Sequence, residues 1–158
     1  MNINKILCPV DFSRFSDIAN RFASDLAAQT GAEIIYLTVP EQGRRDGNYE
    51  FELQRVRERE LKKLKRFKPV NDGIKHSHVV EISVLTSRTI VEFAEKNDVD
   101  LIVIGSKGRT GLSRVLLGSV AESVIRKSGC PVLVVKMEDS SHAEMTEAVQ
   151  NASTNGEN

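Results

Sequence analysis

The chain has 158 residues, room for one domain with a sizeable core and too few for two. At 40% apolar and 28% charged residues it has a globular composition, and no apolar run approaches the ~20 residues that span a bilayer. Net charge is zero, but residues 137–158 hold five acidic side chains (Glu138, Asp139, Glu144, Glu147, Glu157) and no Lys or Arg, leaving +5 on the first 136 residues. That excess is too mild for the concentrated basic face of a nucleic-acid binder, so neither nucleic acid nor membrane is an expected partner.

The opening MNINKILCPVDFS lacks the longer apolar core of a secretory signal, so the expected address is cytoplasmic. Within it KILCPV predicts a first strand, ended by Asp11-Phe12-Ser13. A helix follows, capped by Ser13 or Ser16 and stopped at Gly31. Ile18, Ala19, Phe22, Ala23, Leu26 and Ala27 form its expected core stripe. EIIYLTV (33–39) predicts the second strand, closed by Pro40, and 40–48 a loop. From Glu50 to about Lys68 a ragged stripe of Leu53, Val56, Leu61, Leu64 and Phe67 predicts a helix. Its charge run RVRERELKKLKRFK reads as a solvated face with local Glu–Lys and Glu–Arg pairs.

Residues 75–85, rich in β-branched side chains, predict the third strand. His76 and His78 share one face there; two ligands without a third make a weak metal site, and the pair is better read as strand histidines. Ser87 opens a helix burying Ile90, Val91, Phe93 and Ala94 and ending near Asn97. LIVI (101–104) predicts the fourth strand. A helix from Ser119 to about Lys127, burying Ala121, Val124 and Ile125, is expected to end at Gly129. Pro131–Val135 predicts the fifth strand. Cys8 and Cys130 form neither a C-x-x-C pair nor a disulfide framework and read as core residues. The polar segment 137–158 is expected to be a disordered acidic tail beyond a domain of residues 1–136.

Five strands alternating with helices predict a doubly wound parallel sheet with helices on both faces. Ligands of such sheets bind beyond the carboxyl ends of the strands. There the sequence places its richest segment, Leu101 to Ala121. After the apolar run come Gly105, Gly108, Gly111 and Gly118-Ser119, with Lys107, Arg109 and Arg114 and no acidic residue. Glycines let backbone N–H groups approach an anion, and the following helix start adds donors and a favourable dipole. The spacing is neither a Walker A loop nor a dinucleotide G-x-G-x-x-G. Asp11, at the end of the first strand, would repel bare phosphate. It suits a site that also presents ribose or base hydroxyl and amine donors, or a divalent cation held against phosphates. The alternative role for Asp11 is a cap for the helix that follows, and the two roles can coexist.

Gly105, two residues, Gly108, nine residues, Gly118-Ser119 resembles the nucleotide-binding motif of universal stress proteins in their ATP-binding branch. ILCPVDFS resembles the family's first strand and its Asp, and LIVIGSKGRTGLSRVLLGSVAESVIRKSGCPVLVV follows the family pattern almost without a gap. The resemblance implies a five-stranded parallel sheet in the order 3-2-1-4-5. It implies that Pro9, Asp11 and Val39 surround adenine and ribose. It further implies that Gly105, Ser106, Lys107, Gly108 and Arg109, with Gly118, Ser119 and Val120, hold the phosphates. The sequence departs from the family where members often carry Gly, an acidic residue and Pro: here stand Val84, Leu85 and Thr86.

The expected function is a stress-associated regulatory protein that binds ATP (or ADP or AMP), with Asp11 as the residue for a Mg2+ companion. No assembled catalytic constellation is present, so at most slow ATP hydrolysis is expected. The alternatives are a nucleotide-dependent transferase and an AMP- or cyclic-AMP-type sensor. PVLVV, an uncharged sheet edge in that strand order, predicts a homodimer through the fifth strand, with the tail as a rival cover.

Overall fold

A computed structural model of the protein describes residues 2–41, 49–108 and 117–136. Arg109, Gly111, Arg114 and the 137–158 tail lie outside the described residues. The elements are β1 (Lys5–Pro9), α1 (Arg14–Thr30), β2 (Glu33–Thr38), α2 (Tyr49–Leu64), β3 (His76–Val80), α3 (Thr86–Lys96), β4 (Leu101–Gly105), α4 (Ser119–Lys127) and β5 (Val132–Val135). All strands are parallel, in the order β3-β2-β1-β4-β5.

The central strands are apolar on both faces because helices cover both, as parallel sheets require. Ile6, Cys8, Ile34, Tyr36, Leu101 and Val103 point to one face, against Ala19, Ala23 and Ala27 of α1 and Leu64 of α2. Leu7, Ile35, Leu37, Ile102 and Ile104 point to the other, against Ile90, Val91 and Ala94 of α3 and Ala121 and Val124 of α4. Alanines on α1 let that helix lie close to the sheet. Gly105 takes this further: a Cβ there would stand 2.8 Å from both the carbonyl oxygen and Cβ of Phe15.

Several expectations need correction. Phe22 is 49% exposed and Ile125 45% exposed, so neither belongs to the core. Small alanines already fill the close contact of α1, and the bulkier Phe22 sits beside that contact rather than in it. β3 stops at Val80 rather than running to Leu85. Glu81 and Ser83 still donate backbone N–H to the carbonyls of Thr38 and Pro40, but β2 has already ended, and Val84 and Leu85 emerge exposed. Gly129 does not cap α4; the N–H of Ser128 closes it on the carbonyl of Val124. Gly31 does stop α1, with φ of 77° and its N–H on the carbonyl of Ala27.

The two sheet edges differ. At β3, His76 and Ser77 are exposed and polar, which blunts that edge. His78 stacks on Tyr36 at 5.5 Å, and its Nε2 lies 2.7 Å from the carbonyl of Phe67. At β5 the residues are Val132, Leu133, Val134 and Val135, with Leu133 36% exposed.

Candidate functional site

Strand order reverses direction between β1 and β4: the chain leaves β1 toward β2 and later returns to place β4 on the other side. Their carboxyl ends therefore part to leave a crevice. It has a cavity volume of about 520 Å³, within the range of small-molecule sites.

Asp11 lines it. The backbone turns sharply there, with Phe12 at φ 65°, a conformation rare outside glycine and characteristic of constrained sites. Asp11 Oδ1 accepts from the Ser13 N–H at 3.0 Å and from the hydroxyls of Ser13 and Ser16 at 2.6 Å each. The hydroxyl of Ser13 is thus turned to Asp11 and does not cap α1, and the carboxylate itself ties the start of that helix. The other oxygen, Oδ2, abuts the glycine segment: a Cβ on Gly108 would stand 2.9 Å from it. Asp11 thus both ties the chain entering α1 and lines the crevice.

Of the residues singled out in the sequence, Pro9, Asp11, Val39, Gly105, Lys107, Gly108, Gly118, Ser119 and Val120 line this crevice. Ser106 does not. It is buried, its N–H donates to the carbonyl of Val135, and its own carbonyl accepts the Gly118 N–H at 2.7 Å. It pins the two ends of the loop together behind the wall. Arg109 lies outside the described residues. At Gly118, the residue before α4, a Cβ would meet Lys107 Cα and the Ser106 carbonyl at 3.4 Å, ordinary contact. Close approach of α1 therefore demands glycine at 105, proximity to Asp11 demands it at 108, and position 118 is the roomiest of the three.

The same lining includes the apolar Leu37, Val39, Pro40, Ile90, Ile104 and Ala121 and the polar Thr38 and Thr86. Its apolar residues suit a flat apolar group, and Lys107 with the start of α4 suits an anion. A single carboxylate also fits the donor set of Mg2+, which binds one or two protein carboxylates and completes its shell with phosphates and water. Among the described residues, no group of three or more His, Cys, Asp or Glu could hold a metal by itself.

α2 adds a wall that the sequence reading treated as solvated surface. Arg59, Glu60 and Lys63 line the same cavity. Glu60 is buried and accepts from Arg59 Nε and Lys63 Nζ at 2.9 Å each. The signal was present: Glu60 sits between Val56 and Leu64 on the helix's apolar stripe, four residues from each. Glu60 therefore lines the same cavity as Asp11.

Fold and crevice define an α/β protein of the doubly wound kind with a ligand cavity at its topological switch point. The chain belongs to the universal stress protein family, whose model matches residues 2–136. It is 39% identical over 139 residues to universal stress protein MJ0531 of Methanocaldococcus jannaschii, covering 84% of this chain and 81% of that one. The solved structure of MJ0577, a universal stress protein of the same organism, superposes with a TM-score of 0.77 at 35% identity. That match covers 88% of this chain and 99% of the other. A universal stress protein of Archaeoglobus fulgidus, solved in complex with dAMP, matches at 25% identity and a TM-score of 0.57 over 86% of this chain and all of its own.

Proposed function

We propose that the crevice binds an adenine nucleotide, ATP in the first instance, and that the protein is a cytoplasmic, stress-associated regulator rather than an efficient enzyme. The observation that carries this reading is the polarity of one cavity. Its lining combines Lys107, Gly108, Gly118 and Ser119, suited to an anion, with the apolar Leu37, Val39, Ile90 and Ile104 and the carboxylate of Asp11. Backbone N–H groups at the start of α4 and the Lys107 ammonium suit phosphates. Asp11 suits ribose hydroxyls or a Mg2+ ion shared with the phosphates. The dAMP complex of the A. fulgidus relative supports an adenine nucleotide as the ligand class. It also favours a second reading, a monophosphate sensor using the same cavity.

Regulation rather than turnover fits the side chains present. Asp11 Oδ1 is engaged by three donors, and Glu60 is paired with two cations, so neither is arranged as a base for water. No helix among the described residues is long and apolar enough to cross a membrane.

The test is direct. The purified protein is heat-denatured and any released nucleotide identified by mass, then ATP, AMP and cyclic AMP are titrated by calorimetry. Retained or titratable ATP supports the first reading. Preference for AMP supports the sensor, and no adenine nucleotide binding at all ends both.

A further inference from the structure

The cavity has a second charged wall besides the glycine segment. α2 presents Arg59, Glu60 and Lys63 there. The Glu60 side chain is 8% exposed, while those of Arg59 and Lys63 are 63% and 48% exposed. A buried anion is thus gripped by two cations whose outer ends reach water. An ammonium has three N–H donors and a guanidinium five, so one bond to Glu60 uses only part of either. Lys63 is the inward member of the pair. Its Nζ stands 5.8 Å from the centroid of the Phe12 ring. Phe12 adjoins Asp11, and Asp11 Oδ2 abuts Gly108. Lys63, on a flexible four-carbon stem at a half-exposed position, lines the same cavity as Lys107, Gly108 and Ser119.

We propose that Lys63 is a second cationic contact for the phosphate portion of the bound nucleotide, and that Glu60 competes with phosphate for it. This rests on the nucleotide reading of the crevice and extends it to a wall outside the glycine motif. The competition is chemically even-handed. An ammonium makes charge-assisted hydrogen bonds of similar strength to carboxylate and to phosphate, and a polyphosphate offers more negative charge. Arg59, adjacent to Glu60 in the chain, keeps its bond while Lys63 transfers. That matters because a buried carboxylate stripped of every partner is costly. With Lys63 on Glu60 the wall holds its own charge in check; with Lys63 on the ligand, the crevice offers phosphate a second cation besides Lys107. Lys63 would thereby favour nucleotides over nucleosides, and Glu60 would lower affinity for them.

Calorimetry with ATP and adenosine on the full chain, Lys63→Met and Glu60→Gln, at low and high salt, tests this. Lys63→Met is expected to weaken ATP binding about five- to ten-fold at low salt, to leave adenosine unchanged, and to show a smaller difference at high salt. Glu60→Gln is expected to tighten ATP binding by a few-fold with adenosine again unchanged. ATP binding unaltered in Lys63→Met overturns the proposal, as do equal losses for ATP and adenosine or weaker ATP binding in Glu60→Gln. Lys63→Met, at a half-exposed position, carries the test if circular dichroism shows Glu60→Gln unfolded. A wild-type chain that binds no nucleotide defeats the crevice reading and this proposal together. A wild-type chain that binds ATP as tightly as Lys63→Met does defeats this proposal alone.

Discussion

Gly105 lies against the backbone of Phe15, so close that a Cβ would stand 2.8 Å from the Phe15 carbonyl oxygen and 2.9 Å from its carbonyl carbon. The first glycine of the loop motif is thus required by the packing of α1 on β4, whatever the crevice binds. Backbone cannot swing aside as a side chain can. Gly105→Ala should therefore destabilise the fold by about 1–3 kcal/mol, the usual cost of overpacking. Urea denaturation checks this. An alanine variant as stable as wild type, with only ligand binding lost, would return Gly105 to a purely ligand-facing role.

Gly108 and Gly118 should separate from it and from each other. A Cβ at Gly108 meets Asp11 Oδ2 at 2.9 Å, whereas one at Gly118 meets its nearest neighbours at 3.4 Å. Gly108→Ala is expected to displace the Asp11 carboxylate from its hydrogen bonds, weakening ATP binding and costing about 1 kcal/mol of stability. Gly118→Ala is expected to be tolerated. Gly118→Val, which adds bulk where the backbone turns into α4, is expected to abolish ATP binding with the fold intact. Calorimetry beside circular dichroism reads all three.

The Glu60 pairs predict an acid dependence of stability. Burial pushes this carboxyl up, but hydrogen bonds from Lys63 and Arg59 outweigh it, and the group titrates below its ordinary value of 4.5. Its contribution is fully present above pH 4.5 and is lost as pH falls through the lower folded-state value. Glu60→Gln should cost about 1 kcal/mol at pH 7, because both cations are largely solvated. The difference should shrink toward pH 3. Equal urea midpoints of variant and wild type at pH 7 would count against the pairs as stabilising contacts.

The two cysteines should react very differently. Cys8 is fully buried in β1, and burial pushes its thiol up to about 12. Neither access nor a thiolate population exists at pH 8. Cys130 is partly exposed at the entry to β5. A thiol reagent at pH 8 is expected to modify one cysteine in the native protein and both in denaturant. Rapid modification of two thiols without denaturant would show that β1 opens locally.

Homodimer formation through β5 is the remaining prediction. Leu133 is 36% exposed at an edge with no charge before Lys136, and Ile125 of α4 is 45% exposed. An apolar edge of this kind calls for a cover. Light scattering should report a dimer, and Leu133→Lys should shift it to monomer while leaving circular dichroism unchanged. A monomeric wild-type chain that aggregates when ended at Met137 would instead assign the cover to the acidic tail.

Sequence by itself determined the fold class and the strand-end and glycine-loop part of the crevice. Apolar runs of four to seven residues between amphipathic segments allow little but buried parallel strands between covering helices, and ligand sites of such sheets lie at strand ends. Asp11, Lys107, Gly108 and Gly118 were legible because each follows a strand or precedes a helix within a few residues. Strand order came from resemblance, since alternation alone permits several. Tertiary structure decided what depends on distances between segments remote in the chain. Ser106 was drawn behind the wall because its backbone pairs with Val135 and Gly118. Gly105 was claimed by Phe15. Glu60, read as one charge in a solvated run, became a buried crevice residue because α2 packs its Val56–Glu60–Leu64 stripe toward the sheet, and a stripe's register against its neighbours is fixed only when the helices are packed.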